Sequence, residues 1–179
     1  MLFRSHPFTE DGFDEVYLAL RSHRARDGRV WIRVRIPERP NGRTGWVPRA
    51  ALGPFHTVAT VLRIDKDRSR ATLRRAGHIV WRSPIGHGAP GMETPSGHFY
   101  VRERLDNRHG DPLYGPWAFG TSAYSALSDW PGGGVIGIHG TNQPWLIPGR
   151  PSHGCIRVPN PAVRRLARLM PIGTPILIR

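Results

Sequence analysis

The chain of 179 residues holds one cysteine and nine histidines, and one tract concentrates them. His139-Gly140-Thr141-Asn142 leads through a Pro-containing loop ending Gly149-Arg150-Pro151 into Ser152-His153-Gly154-Cys155-Ile156-Arg157. A free thiol of pKa about 8.5 is only a few per cent ionised at neutral pH, so a cysteine nucleophile needs a neighbouring base. His139 closes the apolar run Val135-Ile136-Gly137-Ile138, and a strand end would hold its ring in a fixed place. His153 is the competing base, because positions i and i+2 of an extended segment share a side. Gly154 relaxes the backbone between them. A tight turn there would aim the amides of His153, Gly154 and Cys155 inward, a donor set suited to the oxyanion of an acyl-transfer intermediate.

Plainer roles compete with these. A lone cysteine is often a small buried apolar residue. His139 could be a hydrogen-bonded structural residue, Ser152 a turn residue, and Arg157 a surface charge. His139, His153 and Cys155 are zinc-type ligands, but no recognised metal spacing is present and His87 or His98 would have to supply a fourth position. The expectation is no metal and no cofactor.

Composition narrows the classes. An apolar share of 39% suits one compact domain or two small ones rather than a disordered chain. No run approaches the roughly 18 apolar residues of a membrane span, and one cysteine cannot build a disulfide framework. The formal charge is +13, carried by Lys66 and 25 arginines. No dense basic block or basic-aromatic module accompanies it, so nucleic acid is not an expected partner, whereas loose attraction to an anionic wall polymer is open. Met1 to Phe8 has no apolar core of a secretory signal, so no export address is legible.

Several elements must position the tract. Residues 16–52 alternate with period two around the Asn41-Gly42 turn, which argues for a small antiparallel unit ending near Gly53-Pro54. Thr57 to Ile64, Ala71 to Arg74 and His78 to Trp81 read as a meander of hairpins, and Phe99 to Arg102 as a further strand. The stretch from Asp106 to Gly134, rich in Gly, Pro, Tyr and Trp, reads as a long lid loop. Asn160 as N-cap and Pro161 at the first helical position, with Val163, Leu166, Ala167 and Met170 at helical spacing, predict one helix of about ten residues. Pro171 and Gly173 stop it, and Pro175 to Ile178 supplies a closing strand.

The tract from His139 to Arg157 resembles the signature of the L,D-transpeptidase catalytic domain, a bacterial cysteine-dependent family that remodels peptidoglycan. Thr94-Pro95-Ser96-Gly97 is similar to its Thr-Pro-x-Gly element and Gly173-Thr174-Pro175 to its closing strand; the likeness covers about residues 57–179. It implies a mainly β fold, an L,D-transpeptidase-type β-sandwich with one or two short helices and a lid loop from about Arg104 to Trp130. It implies Cys155 as nucleophile, His139 as base, the Gly140 carbonyl as orienter of the imidazole, and the amides of His153, Gly154 and Cys155 as oxyanion hole. Ser152, Arg157, Tyr114 and Trp117 are the implied substrate-binding residues, with Ser152 also supporting the turn.

The implied activity is acyl transfer: Cys155 attacks a donor stem tetrapeptide, D-alanine leaves, and a stem amine resolves the thioester into a 3→3 cross-link. Water as acceptor would make the protein an L,D-carboxypeptidase or hydrolase, and an inert Cys155 would leave a wall-binding protein. Carbapenem-type β-lactams are implied inhibitors, and an extracytoplasmic location follows from the substrate. Residues 1–54, with Trp31-Ile32-Arg33-Val34-Arg35 and Thr44-Gly45-Trp46-Val47, resemble a bacterial Src-homology-3-like module preceding a catalytic domain over residues 55–179.

Overall fold

The computed structural model describes residues 8–127 and 131–179. Thirteen strands and one α-helix are found among them, with short 3₁₀ turns. None of the described helices is long and apolar enough to cross a membrane.

The first sheet is small and antiparallel: β1 (Ala19–Arg24), β2 (Val30–Arg35) and β3 (Thr44–Pro48). Ile32 and Val34 alternate inward on β2 and, with Ile36 and Val47, make its own buried cluster. The larger sheet has ten strands. β4 (Thr60–Asp65), β5 (Arg70–Arg75) and β6 (His78–Pro84) form the expected meander, each alternating buried and solvent-facing residues. Past the short β7 (Gly86–Gly88) come β8 (Gly97–Asp106), β9 (Trp117–Tyr124), β10 (Val135–His139), β11 (Gly149–Ser152) and β12 (Ile156–Arg157). β13 (Pro175–Ile178) closes the sheet between β4 and β8. Leu62, Leu73, Phe99, Phe119, Ile138 and Ile156 fill the main core, onto which the helix α1 (Asn160–Leu169) lays Val163, Leu166 and Ala167.

The stretch 106–134 is not one loop. Trp117–Tyr124 forms β9, a central strand paired with both β8 and β10. Its residues from Phe119 onward are all buried, so it lacks the polar alternation that marks a half-exposed strand, and Gly and Pro on either side disguise it. Among the described residues, what remains outside strands is 107–116, 125–127 and a 3₁₀ turn at Pro131–Gly134; Trp130, the expected end of the lid, lies outside the described residues.

The helix has the expected length, but Asn160 does not cap it. Pro159 precedes the first turn in extended conformation, and the Val163 amide donates to its carbonyl at 2.9 Å. The Asn160 side chain turns instead to the loop after β10, where Oδ1 accepts the Thr141 amide at 2.8 Å.

Two groups of contacts unforeseen in the sequence tie the N-terminal residues to the rest of the chain. Arg102 on β8 is 4% exposed and pairs with Glu15 and, at 2.8 Å, with Glu10. Glu10 also accepts the Tyr124 hydroxyl, and Tyr100 donates its hydroxyl to the Val16 carbonyl at 3.0 Å. From the small sheet, Arg39 donates to the carbonyls of Ser125, Leu127 and Gly133, while the Asn41 side-chain amide exchanges two hydrogen bonds with the Tyr124 backbone. Unpaired backbone groups beside the strand ends are thereby satisfied from another part of the chain.

Candidate active site

Parallel pairing of β10 with β12 brings the two halves of the tract together. Ile138 lies opposite Ile156 and His139 opposite Arg157. Residues two apart on a strand share a face, so Gly137 and His139 present the same side of β10. Cys155, one step before β12, meets that side: its Sγ accepts the Gly137 amide at 3.3 Å and lies 4.0 Å from the Val135 carbonyl. A Cβ placed on Gly137 would stand 3.7 Å from Cys155 Sγ and 3.7 Å from His139 Cδ2, so those two atoms lie within 7.4 Å of each other. Thiol and imidazole flank this glycine. They do not hydrogen-bond each other directly; the thiol's partners among the described residues are backbone groups.

His139 is 4% exposed, and its Nδ1 sits 2.6 Å from the Gly140 carbonyl. A carbonyl only accepts, so Nδ1 carries the proton and Nε2 keeps its lone pair. Burial pushes the imidazole down to about 4; the Gly140 hydrogen bond opposes this and the Arg157 charge adds to it. The same burial raises the Cys155 thiol, against which the Gly137 amide and the Arg157 charge act. At neutral pH the resting pair is thus a thiol beside a neutral imidazole, the arrangement of a nucleophile whose base takes the proton during attack.

The turn that carries Cys155 is held from within and from outside. Gly154 has φ +121°, and a Cβ there would stand 2.8 Å from Ile136 Cδ1, so only glycine fits. Ser152 donates its hydroxyl to the Cys155 carbonyl at 2.6 Å and accepts the Gly154 amide at 3.2 Å. Its hydroxyl is therefore engaged in the turn. The buried Thr94 donates to the Gly154 carbonyl at 2.6 Å while accepting the Gly88 amide at 3.0 Å, which anchors the turn to β7. Lys66 in turn donates to the Thr94 carbonyl and Ser96 hydroxyl.

Tyr114 stands beside this centre, its ring edge-on to His139 with centroids 5.0 Å apart. The approach is possible because Gly115, at φ +61°, packs on Gly140: a Cβ on Gly115 would stand 2.6 Å from Gly140 Cα. Arg157 donates Nη1 to Gln143 at 2.9 Å, and its Nε is buried without a partner among the described residues. Trp117 does not join the group. It packs against the main core with the Arg104 guanidinium 5.6 Å over its ring. His153 is exposed, unlike His139. Among the described residues, no three His, Cys, Asp or Glu side chains are grouped to hold a metal ion.

The Gly137 amide as thiol donor, Thr94 as the tether of the turn and Asn160 as the tether of Thr141 escaped sequence reasoning. Thr94 had a signal, being the first residue of a Thr-Pro-x-Gly run. Gly137 and Asn160 had none beyond their nearness to the tract.

Residues 59–178 match the family model of the YkuD L,D-transpeptidase catalytic domain. A Bacillus subtilis (strain 168) protein provisionally named L,D-transpeptidase YkuD is 30% identical over 125 residues, 70% of this chain and 66% of that protein. The structure of Bd1075 from Bdellovibrio bacteriovorus is 29% identical with a TM-score of 0.52, over 68% of this chain and 47% of that one. L,D-transpeptidase 3 from Mycobacterium tuberculosis, solved with a faropenem-derived adduct, shares the fold at 15% identity and TM-score 0.55, over 84% of this chain and 91% of its own. The chain thus spans about two thirds of the Bacillus relative and about half of the Bdellovibrio protein.

Proposed function

Because the chain belongs to the L,D-transpeptidase catalytic-domain family, we propose that it is a peptidoglycan L,D-transpeptidase working through a thioester on Cys155. The observation that carries this reading is the thiol and the buried imidazole flanking Gly137 on neighbouring parallel segments, with Nδ1 tied to Gly140 and Nε2 left basic.

In the acylation step His139 Nε2 takes the thiol proton as Sγ attacks the carbonyl between the L- and D-centres of a donor stem tetrapeptide. Reorientation of the thiol from its backbone partners toward the ring accompanies substrate binding. The C–S bond forms, negative charge collects on the carbonyl oxygen, and turn amides stabilise it. Of the three turn amides, that of Gly154 is donated to Ser152 in the resting turn and would exchange this partner for the oxyanion. The C–N bond then breaks, the amine of D-alanine takes the proton from His139, and a thioester remains. A side-chain amine of a second stem attacks that thioester, loses its proton to His139 and forms the 3→3 cross-link as the thiol is restored.

Arg157, with a buried Nε donor to spare, is suited to an anionic or carbonyl group of the donor stem, and Tyr114 walls the same side. Its charge also favours thiolate and disfavours imidazolium. Such a substrate puts the protein outside the cytoplasmic membrane. Residues 1–54 act as a small Src-homology-3-like packing module, a reading supported by their separate buried cluster and the docking of Arg39 and Asn41. Carbapenems, whose ring carbonyl is open to the same attack, acylate Cys155.

Mass spectrometry after incubation with a carbapenem tests this. The expected result is one covalent adduct on Cys155, absent in folded Cys155→Ala. Folded wild-type protein that stays unmodified would refute the nucleophile. A tetrapeptide donor assayed with and without an amine acceptor then separates transfer from hydrolysis; hydrolysis alone in both would defeat the cross-linking assignment.

A further inference from the structure

On the flank where β8, β9 and α1 meet lies a cavity of about 460 Å³ lined by Arg104, Arg108, Trp117, Arg164, Ala167 and Arg168. Four arginines line it and no acidic residue does. The nearest carboxylate in sequence, Asp106, is held by Arg108 through contacts of 2.6 to 2.9 Å. Arg104 donates one Nη to the Ala167 carbonyl at 2.9 Å and stacks over Trp117, which fixes its plane at the cavity wall. Arg164 and Arg168 stand four apart on α1, where like charges destabilise a helix. Arg168 is offset by its place in the last turn, next to the negative end of the helix dipole; Arg164, further in, is not.

A second cavity of about 340 Å³ shares Arg108 and Arg164 with the first and adds Asn107, Asn142 and Asn160. Together they make an elongated, acid-free run from the end of α1 past Gly115 toward the loop after His139. Arginine forks match phosphate geometry, and the two cavities share Arg108 and Arg164, so linked anionic groups would meet a continuous lining.

We propose that this run is a binding site for phosphodiester groups of an anionic polymer, a site separate from the thiol. It would hold the protein on a phosphate-bearing matrix through residues other than Cys155 and His139.

The test is equilibrium binding on Cys155→Ala protein, so that the outcome is independent of any chemistry at the thiol. The probes are a synthetic glycerol-phosphate hexamer, inorganic phosphate and hexaglutamate, compared across salt concentrations. The hexamer is expected to bind at least about tenfold more tightly than inorganic phosphate, since linked groups engage several arginines at once. Arg164→Gln with Arg168→Gln should weaken hexamer binding about tenfold or more and flatten its salt dependence. The control is Arg63→Gln with Arg82→Gln, exposed positions on β4 and β6 that remove the same charge and line neither cavity. Arg108→Gln gives a single-site check should the helix variant not fold. Equal weakening in the control, equal affinity for hexaglutamate, or inorganic phosphate binding as tightly as the hexamer would each overturn the proposal.

Discussion

Burying a neutral histidine ties stability to pH in a way that can be worked through from the structure. His139 titrates at about 4 when folded, against 6.5 for the unperturbed side chain. Between these values the unfolded chain binds a proton that the folded protein refuses, so acid favours unfolding and stability rises with pH across the window. His139 thus costs nothing above about pH 7, about 2 kcal/mol at pH 5 and about 3 kcal/mol at pH 4. Other groups titrate in this range, among them His87, whose pKa is also lowered by burial. The difference between wild type and His139→Gln isolates the one ring. Urea unfolding of both proteins at pH 7, 6, 5 and 4.5 should give curves that converge as pH falls, because only wild type loses this contribution. Stability profiles that run parallel from pH 7 to 4.5 would refute a neutral, buried His139. The same variant should also acylate at least about a hundredfold more slowly with a carbapenem at pH 7, the usual worth of a positioned base.

The remaining predictions concern positions around the site and beneath it. Gly154→Ala forces a side chain into φ +121° and against Ile136, which should cost roughly 1–3 kcal/mol in urea unfolding and slow acylation; undiminished acylation would mean that the turn does not set the position of Cys155. Arg102→Met should destabilise by about 3–5 kcal/mol, because it strands the buried Glu15 carboxylate. A loss under about 1 kcal/mol in that variant would mean that the docked N-terminal segment contributes little to the fold.

The candidate thiol and imidazole could be singled out in the sequence because they sit in one compact tract whose residue types have few joint uses. The small antiparallel sheet, the meander and the ten-residue helix were legible too, since alternation and helical spacing are local properties of residues near in sequence. β9 was not, because a strand buried on both faces carries no alternation. The cap at Asn160 was misread for a related reason: its side chain has two possible partners, and only the packing of α1 against the loop after β10 favours the distant Thr141 amide.

Composition and order of residues by themselves determined that a lone thiol and a strand-end imidazole lie sixteen positions apart on either side of a Pro-containing loop. They placed a glycine at 154, where a tight turn was expected; that no other residue fits there follows from its φ and from Ile136 in the folded chain. Only the tertiary structure decided that β10 and β12 run parallel with His139 opposite Arg157, which sets Cys155 against Gly137 and its amide. It also decided that Thr94, sixty residues away, pins the turn. Parallel register and long-range tethers depend on which backbone groups are left unpaired once the core closes, and that balance is a property of the whole fold.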